Sequence, residues 1–313
     1  MCLLLLTGLS PFASADMASA GKALAQGRAD DAARQLGTLV AAQPSDPQTH
    51  QLLCRVYYAE EMADAAIKEC EQAVSLAPDD SGNQLWAGKA YGLKASSAGP
   101  FAGLSLAKKV RTSFERAVQL DARNIAAASA LGEYYVEAPG LVGGGLDKAE
   151  RLASQVEGVS PVAAHRLRGM IAEKRKDTAK AEDEYRQAIA ASHNSAEAWV
   201  DLGNFYQRQK QPDQVVSAMQ SALDADRARD AALMDIASIL SDANRSADVA
   251  ERALRLYLAS PNKSEEAPAF RVHVQLGKLL AQRGDHNGAR QEYQAALALA
   301  SGYAPARKAL EGG

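Results

Sequence analysis

Residues 199–206 read WVDLGNFY, and residues 219–222 read MQSA. The first stretch places a small residue, Gly203, directly after a leucine and three positions before an aromatic residue. Residues 50–57 read HQLLCRVY and repeat this arrangement around Cys54, with CEQA following at the same distance. Large residues at such spacings share one face of an α-helix. The two stretches therefore indicate a repeated helical unit.

Equivalent small residues recur along the whole chain. Four of the seven intervals between them are 34 residues long, and the other three exceed that length by 10, 3 and 6 residues. The small residues are Ala20, Cys54, Gly88, Gly132, Gly169, Gly203, Ala237 and Gly277. The simplest account is a 34-residue repeat with insertions near residues 94–100, 138–145 and 260–268.

The composition of each unit fits two antiparallel helices that cross closely. Only a small residue fits where two backbones approach, and larger residues fill the space beside that crossing. One such hairpin cannot bury its apolar face alone, so neighbouring units must stack to form a continuous core. Hydrophobic residues make up 47% of the chain and aromatic residues only 5%, so this core consists mainly of Ala, Leu and Val. Long β-type alternation is absent, and we predict no sheet.

The pattern resembles the tetratricopeptide repeat over nearly all of the chain from about residue 16. The resemblance implies an all-α fold, an α-solenoid of about eight antiparallel helix pairs wound into a right-handed superhelix. We expect one solenoid domain over residues 16–313, closed by a capping helix at 304–311. The expected units start near residues 13, 47, 81, 125, 162, 196, 230 and 270.

The N-terminal segment is typical of a secretory signal peptide. Residues 1–12 read MCLLLLTGLSPF, and the small residues Ala13 and Ala15 then flank Ser14 as in a cleavage site. We predict a signal peptide over residues 1–15 and a periplasmic or secreted protein. No Lys or Arg precedes the apolar run. Two alternatives therefore stay open: the true start lies upstream of Met1, or the segment is a first helix in a cytoplasmic protein. The chain has no apolar stretch of 18 residues, and we predict no membrane span.

Several kinds of chemistry find no support in the sequence. The formal net charge of −3 argues against nucleic-acid binding. Gly140–Gly145 has the glycine spacing of a phosphate loop, but Leu146 and Asp147 occupy the positions that require Lys and Ser or Thr. The five histidines lack the spacing of metal ligands, and no nucleophile motif is present. We predict no catalytic activity, no cofactor and no metal.

Cys54 and Cys70 occupy the core-facing positions of the two helices in one hairpin. In an exported chain this pair predicts a disulfide bond. The alternative is two free buried thiols that act as small apolar residues.

The resemblance also implies that the first helix of each pair lines a concave face. Counting from each small residue, we expect the inward positions to be three before it and one, four and five after it. The candidate groove residues are Arg55, Tyr58, Lys89, Glu133, Arg166, Met170, Lys174, Asn204, Gln207, Arg208 and Lys278. A groove of mixed polar and apolar character suits an extended peptide or a helix.

The sequence therefore predicts a non-catalytic scaffold that binds a protein or peptide partner in the cell envelope. Two alternatives remain open. One is a structural protein that self-assembles by stacking its ends, and the other is an accessory subunit or chaperone of an envelope enzyme or secretion complex.

Overall fold

The computed structural model describes residues 11–228 and 230–312, and the regular elements in these ranges are all helical. The α-helices are α1 (Pro11–Ala25), α2 (Ala29–Ala42), α3 (Pro47–Ala59), α4 (Ala63–Leu76), α5 (Ser81–Ala95), α6 (Pro100–Leu120), α7 (Ile125–Glu137), α8 (Leu146–Val156), α9 (Pro161–Lys174), α10 (Thr178–Ala191), α11 (Ala196–Arg208), α12 (Pro212–Ala225), α13 (Ala232–Asp242), α14 (Ala247–Ala259), α15 (Ala269–Gln282), α16 (His286–Leu299) and α17 (Ala304–Glu311). A 3₁₀ turn spans Gly140–Val142. The prediction of an all-α solenoid is confirmed.

The helices pack as eight successive pairs, from α1 with α2 to α15 with α16, and α17 packs on the last pair. The first helix of each pair begins within two residues of its expected unit start. Residues 1–10, which include Cys2 and most of the predicted signal peptide, lie outside the described residues. Helix α1 contributes Ala20, Ala23 and Leu24 to the buried core.

Local sequence sets the start of many helices. The carboxylates of Asp46, Asp80 and Asp285 each accept a hydrogen bond from the backbone N–H three residues later. These bonds satisfy donors that a helix leaves unpaired at its N-terminus. Proline occupies the first turn of α3, α6, α9 and α12, where its missing N–H costs nothing. Short, capped turns therefore hold neighbouring helices antiparallel.

In four of the helix pairs, a glycine of the first helix directly faces a large side chain of the second helix. A Cβ atom built on Gly88 would overlap the ring of Phe114 on the partner helix, and one built on Gly203 would overlap the end of Met219. The equivalent contacts in the fifth and eighth pairs are Gly169 with Tyr185 and Gly277 with Tyr293. One contact type, a small residue against a large one, is thus repeated along the array.

In the second pair, a covalent bond replaces this contact. Cys54 and Cys70 form the predicted disulfide, with Cα atoms 5.3 Å apart, and both residues are fully buried. In the chain-entropy model, a loop of this size contributes about 3 kcal/mol to stability. The disulfide therefore braces the pair without the large side chain that other pairs use.

The first two helix pairs also pack against the last pair, so the array closes on itself. A Cβ atom built on Gly27 would overlap the backbone of Ala269. Arg271 donates hydrogen bonds from α15 to the carbonyl oxygens of Tyr58 and Ala59 at the end of α3. Apolar residues of the first and last pairs belong to one buried cluster. We call this junction the closure contact, formed by residues 27–30 and 58–62 against residues 269–271 and 301–303.

We expect alanine substitutions at the small residues to differ according to what they face. Gly88→Ala pushes a methyl group into the rigid ring of Phe114, and such overpacking typically costs about 1–3 kcal/mol. Gly203→Ala meets the flexible end of Met219, which can move aside, and alanine gains about 1 kcal/mol of helix propensity over glycine. Thermal unfolding should show a clear loss for Gly88→Ala and little change for Gly203→Ala. Equal midpoints for the two variants would contradict this account of the crossing.

Candidate functional site

The concave face carries two cavities. The larger one, about 840 Å³, has Gly88 and Gly92 in its floor and Tyr58, Leu93 and Tyr134 among its walls. A Cβ atom on Gly92 would meet nothing closer than 4.0 Å, so the cavity reaches the backbone of α5 at this residue, whereas the Phe114 ring fills the space beside Gly88. Its lining is mainly apolar, with a few charged groups at the edge. This is the arrangement expected of a site that buries part of a ligand and orients it with a few polar contacts.

The second cavity, about 540 Å³, is more polar and lies further along the array. Its lining spans the fourth to sixth pairs and includes Glu133, Glu137, Arg166, Met170, Glu173, Lys174, Tyr185, Asp201, Asn204 and Arg208. Glu133 and Glu137 line both cavities, so the two form adjoining parts of one groove.

Most charges of the second cavity are paired with one another. The Arg166 Nε atom lies 3.0 Å from the Asp201 carboxylate. The Lys174 ammonium lies 2.6 Å from Glu137. In the same way, Arg208 lies 2.7 Å from the carboxylate of Glu173, which also accepts a hydrogen bond from the Tyr185 hydroxyl. The basic residues are therefore neutralised within the groove, and this part of it presents little net charge to a partner.

A cation–aromatic site adjoins the larger cavity. The guanidinium of Arg55 lies 5.4 Å from the centre of the Trp86 ring, and the ammonium of Lys89 lies 4.3 Å from it. Tyr58 packs edge-on against the same ring, with centroids 5.5 Å apart. Burial lowers the pKa of Lys89, and Glu265 and Glu266 partly oppose that shift. Two cations thus share one indole, a geometry that favours an anionic ligand.

The opposite part of the concave face is acidic. Burial, together with the nearby carboxylates of Asp201, Glu197 and Glu266, raises the pKa of Asp235 to about 6. Asp235 is nonetheless exposed, so it does not belong to the core. The groove therefore carries a carboxylate of raised pKa on α13 in addition to the cations of α3 and α5.

The structure brings most of the predicted groove residues together. Eight of them line the two cavities: Tyr58, Lys89, Glu133, Arg166, Met170, Lys174, Asn204 and Arg208. Arg55 lies beside the larger cavity, on Trp86. Gln207 and Lys278 line neither of the two cavities.

The expected set of inward positions needs two corrections. The position three residues before the small residue belongs to the core in three pairs, where Leu85, Val200 and Val274 are buried. The position two residues before it faces the groove instead, with Trp86, Asp201 and Asp235. The predicted register was therefore wrong by one residue at this position, and the prediction did not include Trp86, Asp201 and Asp235.

Three histidines occupy equivalent structural positions. His50, His165 and His273 each place Nδ1 within 2.8 Å of a glutamate on the second helix of the same pair; the glutamates are Glu69, Glu184 and Glu292. These hydrogen bonds join the two helices of a pair, as expected for packing residues. Among the described residues, His, Cys, Asp and Glu form no group of three or more that could hold a metal ion.

Family models now identify the fold. Models described as tetratricopeptide repeats match residues 23–90, 141–196, 196–229 and 270–303, which together cover more than half of the chain. The chain belongs to the tetratricopeptide repeat family. No curated protein matches it in sequence. In the part that the structure describes, no helix of this repeat array is long and apolar enough to cross a membrane.

Several solved structures are similar to this chain. Yeast Tom70 is similar over 99% of this chain and 66% of its own, with a TM-score of 0.58 and 13% identity. A tetratricopeptide repeat protein from Parabacteroides merdae covers 96% of this chain and 98% of its own, with a TM-score of 0.49 and 10% identity. A thermophilic one from Thermus thermophilus covers 74% and 98%, with a TM-score of 0.47 and 16% identity.

The closure contact of this repeat array contains one buried carboxyl group. Glu60, at the C-terminus of α3, is only 5% exposed, and its Oε1 lies beside Gly302. Burial raises the pKa of Glu60 to about 7; Asp30 adds to the rise and Arg307 opposes it. Opening the contact would expose this group to water and return its pKa towards the ordinary value of about 4.5.

We expect the closure contact to weaken as the pH rises. The closed form binds more protons than the open form, so its stability is fully present below about pH 4.5 and is lost as the pH rises through about 7. Glu60→Gln should unfold at nearly the same temperature as wild type at about pH 5 and at a higher temperature at about pH 8. Thermal unfolding and the small-angle X-ray scattering radius of gyration, both measured at the two pH values, test this.

The difference between wild type and Glu60→Gln is the informative quantity, because Asp235 also has a raised pKa and is present in both proteins. A difference that stays constant between the two pH values would show that Glu60 is not buried by closure.

Proposed function

We propose that this protein is a non-catalytic scaffold that binds a peptide or an extended protein segment in its concave groove. Tetratricopeptide repeat arrays act in general as protein-interaction scaffolds. The observation that carries the proposal is the continuous groove formed by the two adjoining cavities. Its apolar part reaches the backbone at Gly92, which leaves room for side chains of a ligand.

The groove suits an extended chain better than a compact small molecule. The larger cavity offers apolar walls for side chains, and the polar cavity next to it offers paired charges that can exchange hydrogen bonds with a backbone. A peptide lying along the groove would use both parts at once. Recognition of this kind takes its affinity from apolar pockets and its register from polar contacts.

We also propose that the protein acts in the cell envelope. The apolar leader and the small residues Ala13 and Ala15 support export. The disulfide between Cys54 and Cys70 supports it independently, because such bonds persist in oxidising compartments. An accessory role beside an envelope enzyme or secretion complex is compatible with this location.

The closure contact bears on the alternative of self-assembly. End-to-end stacking requires the first and last pairs of an array to present free surfaces. Here the turn at Gly27 packs against Ala269, and Ser301 donates a hydrogen bond to Asp30 within the same chain. These surfaces are therefore partly covered, which favours the binding of a different partner over stacking.

Filling the groove should abolish partner binding. A Cβ atom on Gly92 would meet nothing closer than 4.0 Å, so Gly92→Trp can place an indole in the larger cavity without disturbing the helix pair. Gly37→Trp is the matched control, because Gly37 is exposed and has no neighbour within 4 Å. Tagged proteins would be used to capture partners from the native host, with quantification by mass spectrometry. We expect Gly37→Trp to retain the partners of wild type and Gly92→Trp to lose them.

If both variants capture the same partners equally, the binding surface lies outside this groove. Thermal unfolding of the two variants serves as the control for folding, because a partner lost through misfolding would coincide with a lowered midpoint.

Export has its own test. Protein isolated from the native host should have its N-terminus near Asp16, because a signal peptidase cleaves after a small residue such as Ala15. N-terminal sequencing measures this directly. Recovery of folded protein that still carries residues 1–15 would contradict the prediction of a signal peptide.

A further inference from the structure

The third insertion, residues 260–268, is an ordered bridge rather than a loose loop. The buried Tyr257 hydroxyl donates a hydrogen bond to the Ala267 carbonyl oxygen and accepts one from the Ser264 N–H. The Lys263 ammonium donates to the carbonyl oxygen of Ser260. These bonds fix the path of the insertion, and that path carries its acidic residues Glu265 and Glu266 towards the groove. We call this segment the bridge loop.

The bridge loop places a carboxylate on the cation–aromatic site. Arg55 donates two hydrogen bonds to Oε2 of Glu265, from Nε at 2.9 Å and from Nη2 at 2.7 Å. The two residues are 210 positions apart in the chain. The guanidinium that lies over Trp86 is therefore already occupied by an anion from the chain itself.

The site has capacity for a second anion. Lys89 lies over the same ring, and it forms no ion pair with any residue that the structure describes. Burial lowers its pKa, as expected for a cation that has lost water and gained no carboxylate at bonding distance. A ligand with two neighbouring carboxylates would satisfy both cations, whereas the bridge loop satisfies one.

The contact between Arg55 and Glu265 is also exchangeable. Both side chains are about a quarter exposed, and ion pairs in contact with water contribute little to stability. The hydrogen bonds of Arg271 and Ser301 hold the closure contact separately. Glu265 can thus leave Arg55 while the rest of the array stays folded.

We propose that the bridge loop is an internal ligand of the cation–aromatic site, and that a partner binds there through a segment with adjacent acidic residues that displaces Glu265. This inference rests on the proposed groove function and specifies both the chemistry of the partner and its competitor. The loop lowers the affinity of the site for segments that contact it weakly. Any ligand must first displace the Glu265 carboxylate, which the chain holds at high effective concentration.

The bridge loop itself supplies the probe. An acetylated, amidated peptide with the sequence of residues 260–268, SPNKSEEAP, would be titrated into the full-length protein. Trp199→Phe in all variants leaves Trp86 as the only tryptophan, so its fluorescence reports on the site. We expect Glu265→Gln to bind the peptide roughly tenfold more tightly than the parent, because its internal competitor is weakened.

Three controls decide the interpretation. Glu266→Gln removes the same charge from the same loop but keeps the bonds to Arg55, and it should bind the peptide as weakly as the parent. Adding Arg55→Gln to Glu265→Gln should abolish binding. A peptide with glutamine in place of both glutamates should not bind. Unchanged circular dichroism shows that the variants are folded.

If the parent and Glu265→Gln bind the peptide with equal affinity, the proposal that the bridge loop is an internal ligand is overturned. It is also overturned if Glu265→Gln does not bind the peptide. Either result leaves the groove proposal standing if Gly92→Trp still loses its partners. If Gly92→Trp still captures the partners of wild type, the groove proposal is rejected. The peptide titration then tests the bridge loop independently of that result.

Discussion

The close crossing of two helices at a small residue is the contact from which the rest of this structure follows. At Gly88 and Gly277 the backbone of one helix directly meets an aromatic ring of its partner. A side chain at these positions would separate the helices and change the angle at which the next pair stacks. Because each pair contacts mainly its neighbours, small changes of this kind would add up along the array. The position of the groove, and the meeting of the two ends, both depend on this repeated spacing.

The groove combines two kinds of electrostatic environment. In its middle, Arg166 and Arg208 are balanced by Asp201 and Glu173, so that charge contributes more to rigidity than to attraction. Towards the closure contact the balance fails, and the cations around Trp86 face the acidic bridge loop. For a partner bound in the proposed groove, we therefore expect shape to govern binding in the middle and charge to govern it near the junction of the ends.

The sequence was sufficient for the local structure because each unit repeats the same short-range pattern. The phase of Gly203 with Met219 locates a helix pair, and the same phase locates the bond between Cys54 and Cys70. The groove was predicted less completely, since a helical face is only about 100° wide and a shift of one residue exchanged core positions for groove positions. The pairing of Arg55 with Glu265 could not be predicted, because it joins residues 210 positions apart through the curvature of the whole array.

Closure of the array also changes how it can come apart. In an open solenoid, the terminal repeats have one neighbour each and unfold first, because they can be lost without disturbing the centre. Here the first two pairs and the last pair support one another through Arg271, Asp30 and a shared apolar cluster. The loss of either terminal pair therefore removes contacts from both. In an open array, unfolding would begin independently at the two ends. We expect the two ends of this closed array to unfold together, as one cooperative unit.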